Sequence, residues 1–152
     1  MTMEPFIDHI EITVRDLSAA ARFYDRLLPL LGYDLRNRSE ATIEEDEKRV
    51  VSYEHPRLGF AITSPLGVFA NEAMNRRKPG ALHHLAFRVM TRAEVDRLHG
   101  ELRSIGATIV SPPREYPEYR PPGYYAVFFK DPEGIKYEIV CSDPNGATAE
   151  DA

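Results

Sequence analysis

The stretch His9-Ile-Glu-Ile-Thr-Val14 is followed later in the chain by a similar one, His84-Leu-Ala-Phe-Arg-Val89. Both begin with histidine and then alternate apolar residues with other residues, which is the period of a half-buried β-strand. Each is followed by apolar residues at helical spacing and then by a glycine that can end a helix, Gly32 in the first copy and Gly106 in the second. The pattern indicates an internal duplication, and a duplicated unit determines the architecture.

The first copy predicts a strand, a helix and three further strands. The strand covers residues 6–14, and Asp16-Leu17-Ser18 turns the chain into a helix from Ser18 to Leu31. The three later strands are expected around Tyr33–Asn37, Arg49–Tyr53 and Gly59–Thr63. This defines module one as residues 6–64. Residues 65–80 have the turn residues of a linker, with one short helix around Phe69–Asn75.

The second copy repeats this order within residues 81–142, which define module two. A strand at 83–89 precedes a helix from Thr91 to Ile105, where Thr91 and Glu94 form a capping-box pattern. Strands are expected around Thr108–Val110, Tyr125–Phe129 and Ile135–Cys141, with Asp131-Pro-Glu-Gly134 as the tight turn before the last. Pro112–Gly123 holds five prolines and predicts an extended wall or lid in place of a strand. Residues 143–152 are expected to be a disordered tail.

Composition restricts the classes of function. The chain has 152 residues, 43% of them apolar, which is enough for one domain with a substantial core. We expect a cytoplasmic protein, because there is no membrane span or signal peptide and the single cysteine, Cys141, cannot form an internal disulfide. The net charge of -5 argues against nucleic acid as a partner. We interpret the short basic run Arg76-Arg77-Lys78 as a solvated linker.

Three residues are candidates for a metal site. Alternation places His9 and His84 on the sheet faces opposite the aliphatic residues that cover the helices. Glu138 lies in the middle of the last predicted strand, where an isolated charge is unexpected. If the two modules place their open faces around a common cavity, two imidazoles and a carboxylate can converge there. That set, with open positions, suits Fe(II), Mn(II) or another divalent ion.

These residues resemble the vicinal oxygen chelate superfamily, which includes glyoxalase I, extradiol dioxygenases and bleomycin-resistance proteins. The resemblance rests on Asp8-His9-Ile10, His83-His84-Leu85-Ala86-Phe87 and the final stretch from Phe129 to Glu138. It implies an α+β fold in which two βαβββ modules form curved mixed sheets around a shared cavity. It also implies His9, His84 and Glu138 as metal ligands, and a homodimer, because many members dimerise or exchange modules between chains.

The sequence departs from the four-ligand members of the family at one position. An ungapped alignment of the two copies puts Ile62 where Glu138 falls, and a shift of one residue would put Ala61 there. Neither side chain can bind a metal. Glyoxalase I and the epimerases of the family use four protein ligands, whereas the extradiol dioxygenases and the fosfomycin transferases use a His, His, Glu set. The fourth position would then be filled by water or substrate.

The resemblance implies a metal-dependent enzyme of the glyoxalase or extradiol dioxygenase type. Its small-molecule substrate would chelate the metal through neighbouring oxygens, with Fe2+ or Mn2+ favoured over Zn2+ or Ni2+. The alternatives are a non-catalytic binding protein like the bleomycin-resistance members and a fosfomycin-type thiol transferase. No membrane partner is expected.

Further side chains are assigned roles around this site. Tyr124 or Tyr125 is the candidate catalytic residue, because a phenol can donate a hydrogen bond to a substrate oxygen or act as acid or base. His83 is an alternative metal ligand to His84. The candidate substrate-binding residues, each of which can equally be a packing or surface residue, are Glu11, Arg88, Tyr116 and Tyr119.

Overall fold

The computed structural model describes residues 6–119 and 123–142, and its elements occur in the same order twice. The first set is β1 (His9–Thr13), α1 (Leu17–Leu30), β2 (Arg38–Ile43), β3 (Lys48–Tyr53) and β4 (Gly59–Thr63). The second set is β5 (Leu85–Arg88), α2 (Arg92–Ser104), β6 (Thr108–Glu115), β7 (Tyr124–Lys130) and β8 (Lys136–Ser142). The prediction of an α+β fold built from two βαβββ modules is confirmed. The predicted tail, residues 143–152, lies outside the described residues.

Each module folds into one four-stranded mixed sheet. The strand orders are β1-β4-β3-β2 and β5-β8-β7-β6. In each sheet the first strand of the module pairs in parallel with the last, and the other neighbours are antiparallel. The chain divides into two compact units, Met1–Ala73 and Met74–Ala152, and their boundary falls inside the predicted linker at 65–80.

Each helix is preceded by a capping residue, and the capping box predicted at Thr91 is confirmed. The Asp16 side chain accepts a hydrogen bond from the Ala19 amide at 2.9 Å, and Thr91 forms a complete capping box with Glu94. After α1 the chain turns at Gly32, whose φ of 95° is a left-handed conformation that glycine adopts without strain. Neither helix of the described part is long and apolar enough to cross a membrane.

Each helix covers one face of its own sheet. The ring of Tyr24 on α1 packs 5.3 Å from that of Phe60 on β4, and both are fully buried. In the second unit the corresponding core residues are Val95, Leu98, Leu102, Phe129, Tyr137 and Ile139. Burial of each large apolar side chain contributes about 1.5–3 kcal/mol, so these helix-side layers hold the sheets and leave the opposite faces for the candidate site.

Two predicted elements of the first unit are wrong. The strand expected at Tyr33–Asn37 is a 3-10 turn at Leu35–Asn37, because the Asp34 side chain accepts from the Arg36 amide at 2.9 Å and caps the turn. The short helix expected at Phe69–Asn75 is reduced to a 3-10 turn at Gly67–Phe69.

The proline-rich segment also differs from its prediction. β6 runs on through Pro112 and Pro113 to Glu115, so the first part of the predicted wall is a strand. Proline is tolerated there because β6 is the edge strand of its sheet, and the pairing with β7 shifts register between Ser111 and Arg114. The remainder of the predicted wall lies partly outside the described residues.

The turn before β8 is fixed by one buried carboxylate. Asp131 is 2% exposed, and its Oδ1 accepts from the amides of Ile135 at 2.8 Å and Glu133 at 3.0 Å. Gly134 takes the left-handed conformation that closes the turn, with φ 91°. This network sets the point at which β8 begins and therefore the register that places Glu138.

We predict that Asp131→Ala lowers the free energy of unfolding by about 1–3 kcal/mol, because two buried amides lose their acceptor. Urea unfolding followed by circular dichroism measures this loss. Asp131→Asn keeps an oxygen that can accept from both amides, so it should retain most of the stability. Asp34→Ala is the exposed control and should lose less than Asp131→Ala. Equal losses at the two positions would contradict the role given to Asp131.

Candidate functional site

The strand registers show which residues of the two modules correspond. In the first unit Glu11 pairs with Ala61 and Ala61 with Ser52. In the second, Ala86 pairs with Glu138 and Glu138 with Phe128. Ala61 is therefore the counterpart of Glu138.

The ungapped alignment that put Ile62 at the position of Glu138 is wrong by one residue. Ser52 on β3 pairs with Ala61, nine residues later, whereas Phe128 on β7 pairs with Glu138, ten residues later. The first connection is therefore one residue shorter. Ile62 is fully buried, and strand alternation places it on the face opposite Ala61. The expectation that the fourth position carries no ligand holds for Ala61 too.

Glu138 is buried at the centre of the second unit's open face. It is 1% exposed, and its Oε2 lies 3.3 Å from His84 Nε2. Its other oxygen, Oε1, accepts a short hydrogen bond from the Tyr124 hydroxyl. A carboxylate out of water requires such partners, because burial without them costs several kcal/mol. The structure thus brings together three of the residues that the sequence singled out.

Both candidate histidines have a partner immediately before them in the chain. His84 Nδ1 lies 2.7 Å from His83 Nδ1, and His9 Nδ1 lies 2.7 Å from Asp8 Oδ2. A hydrogen bond at Nδ1 fixes the ring and directs Nε2 to the opposite side, which is how metal-binding histidines are usually oriented. His83 thus contacts His84 on the side away from Glu138. In both units the residue just before the histidine contacts its Nδ1, although that residue is aspartate in one unit and histidine in the other.

His9 lies at the edge of a cavity of about 220 Å³ in the first unit. The hydrogen bond and charge of Asp8 raise the pKa of His9, and the charges of Glu11 and Glu54 contribute in the same direction. The other residues that line this cavity are Ser52, Gly59, Phe60 and Ala61. His9 thus lies in acidic surroundings, which favour a cation at this edge of the sheet.

The two adjacent tyrosines that the sequence left as alternatives lie on opposite faces of β7. Tyr124 contacts Glu138. The Tyr125 hydroxyl donates to Asp96 of α2 at 2.8 Å, and Arg92 lies over its ring at 5.1 Å. Burial and the Asp96 carboxylate raise the pKa of Tyr125 to about 12. Only Tyr124 is placed to act at the candidate site, and Tyr125 holds β7 against the helix.

An aromatic cluster borders Tyr124. Tyr116 is 3% exposed, and its hydroxyl lies 2.6 Å from that of Ser111. The ring of Tyr119 stacks on that of Tyr116 at 5.1 Å with an interplanar angle of 2°, and its outer side is exposed. The Phe128 ring lies 5.4 Å from Tyr116 and 6.1 Å from His84. Phe128 was missed in the sequence because only the register places it beside Glu138.

The two charged candidates for substrate binding differ in their surroundings. Glu11 forms an ion pair with Lys48, Oε1 to Nζ 2.9 Å, at a cavity of about 410 Å³ in the first unit. The remaining lining includes Thr13, Thr63, Ser64, Leu66 and Phe69. Arg88 lies at the exposed end of β5 and pairs with Val140. Lys48 gave no signal in the sequence, because its partner is distant along the chain.

Among the residues that the structure describes, neither unit by itself contains a cluster of three or more His, Cys, Asp or Glu side chains able to hold a metal ion. The second unit supplies the pair His84 and Glu138, and His9 belongs to the first unit. The complete three-ligand set therefore stays a prediction.

Comparisons with known proteins agree with the fold. The family model of the Glyoxalase/Bleomycin resistance protein/Dioxygenase superfamily matches residues 6–139. The uncharacterized protein YqjT of Bacillus subtilis (strain 168) is 32% identical over 132 residues, which is 87% of this chain and 95% of that protein. A solved structure from Bacillus halodurans is 32% identical with a TM-score of 0.69, covering 89% of this chain and 94% of the other. One from Frankia sp. EAN1pec is 23% identical with a TM-score of 0.71, covering 93% and 100%.

The placement of Tyr125 can be tested by its titration. Its pKa in the folded chain, about 12, is above the value near 10 of a free tyrosine. The stability that it contributes is therefore fully present below about pH 10 and is lost as the pH rises towards 12. We predict that the stability difference between wild type and Tyr125→Phe shrinks over this range, as measured by urea unfolding. A constant difference would contradict the contact with Asp96.

Proposed function

Because this chain belongs to the Glyoxalase/Bleomycin resistance protein/Dioxygenase superfamily, we propose that it is a metal-dependent enzyme that acts on a small molecule. His84 and Glu138 would bind a divalent ion, Fe2+ or Mn2+ in preference to Zn2+ or Ni2+. His9, from this chain or from a second copy in a homodimer, would be the third ligand. The observation that carries the proposal is the 3.3 Å separation of His84 Nε2 from the buried Glu138 Oε2.

The donor atoms of the second unit fit a metal ion. Ligands at about 2.1 Å from a metal in adjacent coordination positions are roughly 3 Å apart, which is close to the separation of His84 Nε2 and Glu138 Oε2. The contact between His83 and His84 supports the ring orientation that a ligand needs. An imidazole and carboxylate set favours iron, manganese, zinc or nickel over the hard ions, which prefer oxygen donors alone.

The missing fourth ligand supports a substrate that binds the metal directly. Ala61 occupies the position of Glu138 in the first unit and has no donor atom. A substrate with two neighbouring oxygens could then complete the coordination. This favours chemistry of the extradiol dioxygenase type, and a glyoxalase-type reaction is the nearest alternative. The bound metal would serve as Lewis acid and template for such a substrate.

The protein's own residues would control the proton and the water around the site. The Tyr124 hydroxyl donates its hydrogen bond to Glu138. A phenol in that position can instead donate a hydrogen bond to a substrate oxygen. Tyr116 and Phe128 are nearly fully buried and form an apolar backing behind Tyr124. Such a backing excludes water and strengthens the polar contacts in front of it.

We predict that the full chain, purified without added metal and then incubated with Fe(II), Mn(II), Zn(II) or Ni(II), binds about one equivalent of metal. Elemental analysis after gel filtration measures the uptake. His84→Ala removes a donor and Glu138→Gln replaces a charged carboxylate with a weaker neutral oxygen, so each should lower metal affinity about 10–100-fold or more. His99→Ala, a half-exposed histidine on α2, is the matched control and should bind like wild type. Wild type that takes up none of the four ions would overturn the enzyme proposal in favour of a non-catalytic binding protein.

Oxygen consumption with a panel of catechols tests the reaction class. The Fe(II) or Mn(II) form should consume oxygen with at least one catechol. Tyr124→Phe should lower kcat about 100-fold, within the usual range for a lost proton donor, while retaining its metal. Tyr125→Phe should react like wild type. Metal-loaded protein that consumes no oxygen with any catechol would contradict ring cleavage and leave the glyoxalase-type reaction.

A further inference from the structure

The open face of the first unit's sheet has small residues along β4. Gly59, Ala61 and Thr63 occupy alternate positions of that strand, so they share this face. Longer side chains flank them on the neighbouring strand β1, where His9 pairs with Gly59 and Glu11 with Ala61. Two cavities lie along the trough that results. The smaller, of about 220 Å³, borders Gly59 and Ala61, and the larger, of about 410 Å³, borders Thr63.

One ion pair separates these two cavities. Glu11 borders both of them, and its Oε1 accepts from Lys48 Nζ at 2.9 Å. Since Glu11 lies on β1 and Lys48 on β3, the pair crosses over β4, which lies between these strands. The two side chains are 32% and 27% exposed, and an ion pair that water can reach adds little to stability. Asp46 Oδ2 lies 3.7 Å from Lys48 Nζ, so Lys48 can leave Glu11 without losing an anionic partner.

The polar groups that line the larger cavity are engaged within the protein. Its two acidic side chains both contact Lys48. The Thr63 hydroxyl donates to the Arg49 carbonyl at 3.0 Å, and the Arg49 amide donates to Ser64 Oγ at 2.9 Å. These groups therefore do not require a charged or hydrogen-bonding partner from a ligand, and the cavity can accept an uncharged, apolar group.

Two large apolar side chains border the same cavity. Leu66 is 45% exposed and Phe69 is 52% exposed. The 3-10 turn Gly67–Phe69 holds them together, because the Phe69 amide donates to the Leu66 carbonyl at 2.9 Å. Val68, between them, is 81% exposed and is not among the residues that line the cavity. Partly exposed apolar side chains around a cavity of about 410 Å³ are typical of sites for small molecules, which are roughly 300–1,000 Å³ in volume.

We propose that the larger cavity is a subsite for an apolar tail of the substrate, and that the tail enters it past the Glu11–Lys48 pair, which acts as a gate. The oxygen-bearing end of the same molecule would lie in the smaller cavity beside His9. The substrate class is thus a compound with two neighbouring oxygens, such as a catechol, that carries an alkyl substituent. The position of the oxygen-bearing end rests on the proposed function, in which His9 is a metal ligand. The tail subsite itself requires no metal.

The gate would make binding depend on the length of the substituent. A small molecule can lie beside His9 while Glu11 and Lys48 stay paired, whereas an alkyl group that reaches the larger cavity must separate them. Each methylene that is buried against Leu66 and Phe69 gains about as much free energy as a partly exposed ion pair contributes. A substituent of a few carbons can therefore open the gate, and Glu11 and Lys48 are specificity-determining residues.

The test uses the full-length, metal-free protein and a series of probes from 4-methylphenol to 4-pentylphenol, which have the ring and the alkyl group but do not chelate a metal. Isothermal titration calorimetry measures the affinities. We expect each added methylene to tighten binding at least about twofold, which is half of the free energy of full burial. Leu66→Ala and Phe69→Ala should each weaken 4-pentylphenol about fivefold and leave 4-methylphenol unchanged. Val68→Ala is the matched control and should bind like wild type.

A second variant tests the gate. Glu11→Ala should bind 4-pentylphenol about two- to fivefold more tightly than wild type, because the ligand no longer has to separate an ion pair. Its affinity for 4-methylphenol should stay the same. Glu45→Ala removes an exposed acidic side chain that lines neither cavity, so it controls for the change in charge and should bind like wild type. Unchanged or weaker binding of 4-pentylphenol by Glu11→Ala would overturn the gate.

Equal affinity along the series, or a wild-type gain with length in both Leu66→Ala and Phe69→Ala, would overturn the subsite. Loss of that gain in Tyr119→Ala alone would place the binding in the second unit and overturn the subsite as well. Metal uptake by the same preparations separates the two proposals. Length-dependent binding without metal uptake overturns the proposed enzyme and supports the subsite, whereas metal uptake with equal probe affinities overturns the subsite alone.

Discussion

The carboxylate of Glu138 is buried in the middle of β8, between two residues, Tyr137 and Ile139, that are fully buried on the helix side. A carboxylate in that position requires partners, because removing it from water costs several kcal/mol. They come from both sides of β8: Tyr124 from β7, and His84 from the residue just before β5. The strand order β5-β8-β7 therefore supplies the partners that allow the Glu138 carboxylate to be buried. The turn held by Asp131 fixes the position of Glu138 along β8.

Much of this arrangement could be predicted because it depends on local rules. A strand alternates its side chains, so His9 and Glu138 had to lie opposite the aliphatic residues that cover the helices. Helix starts followed from side chains that cap amides a few residues away, as at Thr91. The duplication then supplied the order of the strands, since two similar segments in one chain fold alike.

The contacts that the sequence did not reveal depend on exact register or on distant partners. Tyr124 and Tyr125 cannot be distinguished in the sequence. Only the pairing of β7 with β8 places Tyr124 beside Glu138 and Tyr125 beside Asp96. A connection shorter by one residue likewise moved the counterpart of Glu138 from Ile62 to Ala61. The run Arg76-Arg77-Lys78 is interpreted as a solvated linker, because nothing nearby in the sequence indicates that Met74, just before it, lies against Gly134 in the turn before β8.

The registers also show how the two copies have diverged. A glutamate and an alanine pair across the parallel strands of both units, but with their positions exchanged: Glu11 on β1 with Ala61 on β4, and Ala86 on β5 with Glu138 on β8. Glu11, about one third exposed, is neutralised by Lys48, whereas Glu138 is 1% exposed and is bound only by a phenol and an imidazole among the described residues. Glu138 forms no direct ion pair with a lysine or arginine among the described residues, so a metal ion would not have to displace one. The copy that buried its glutamate is therefore the one suited to hold a cation.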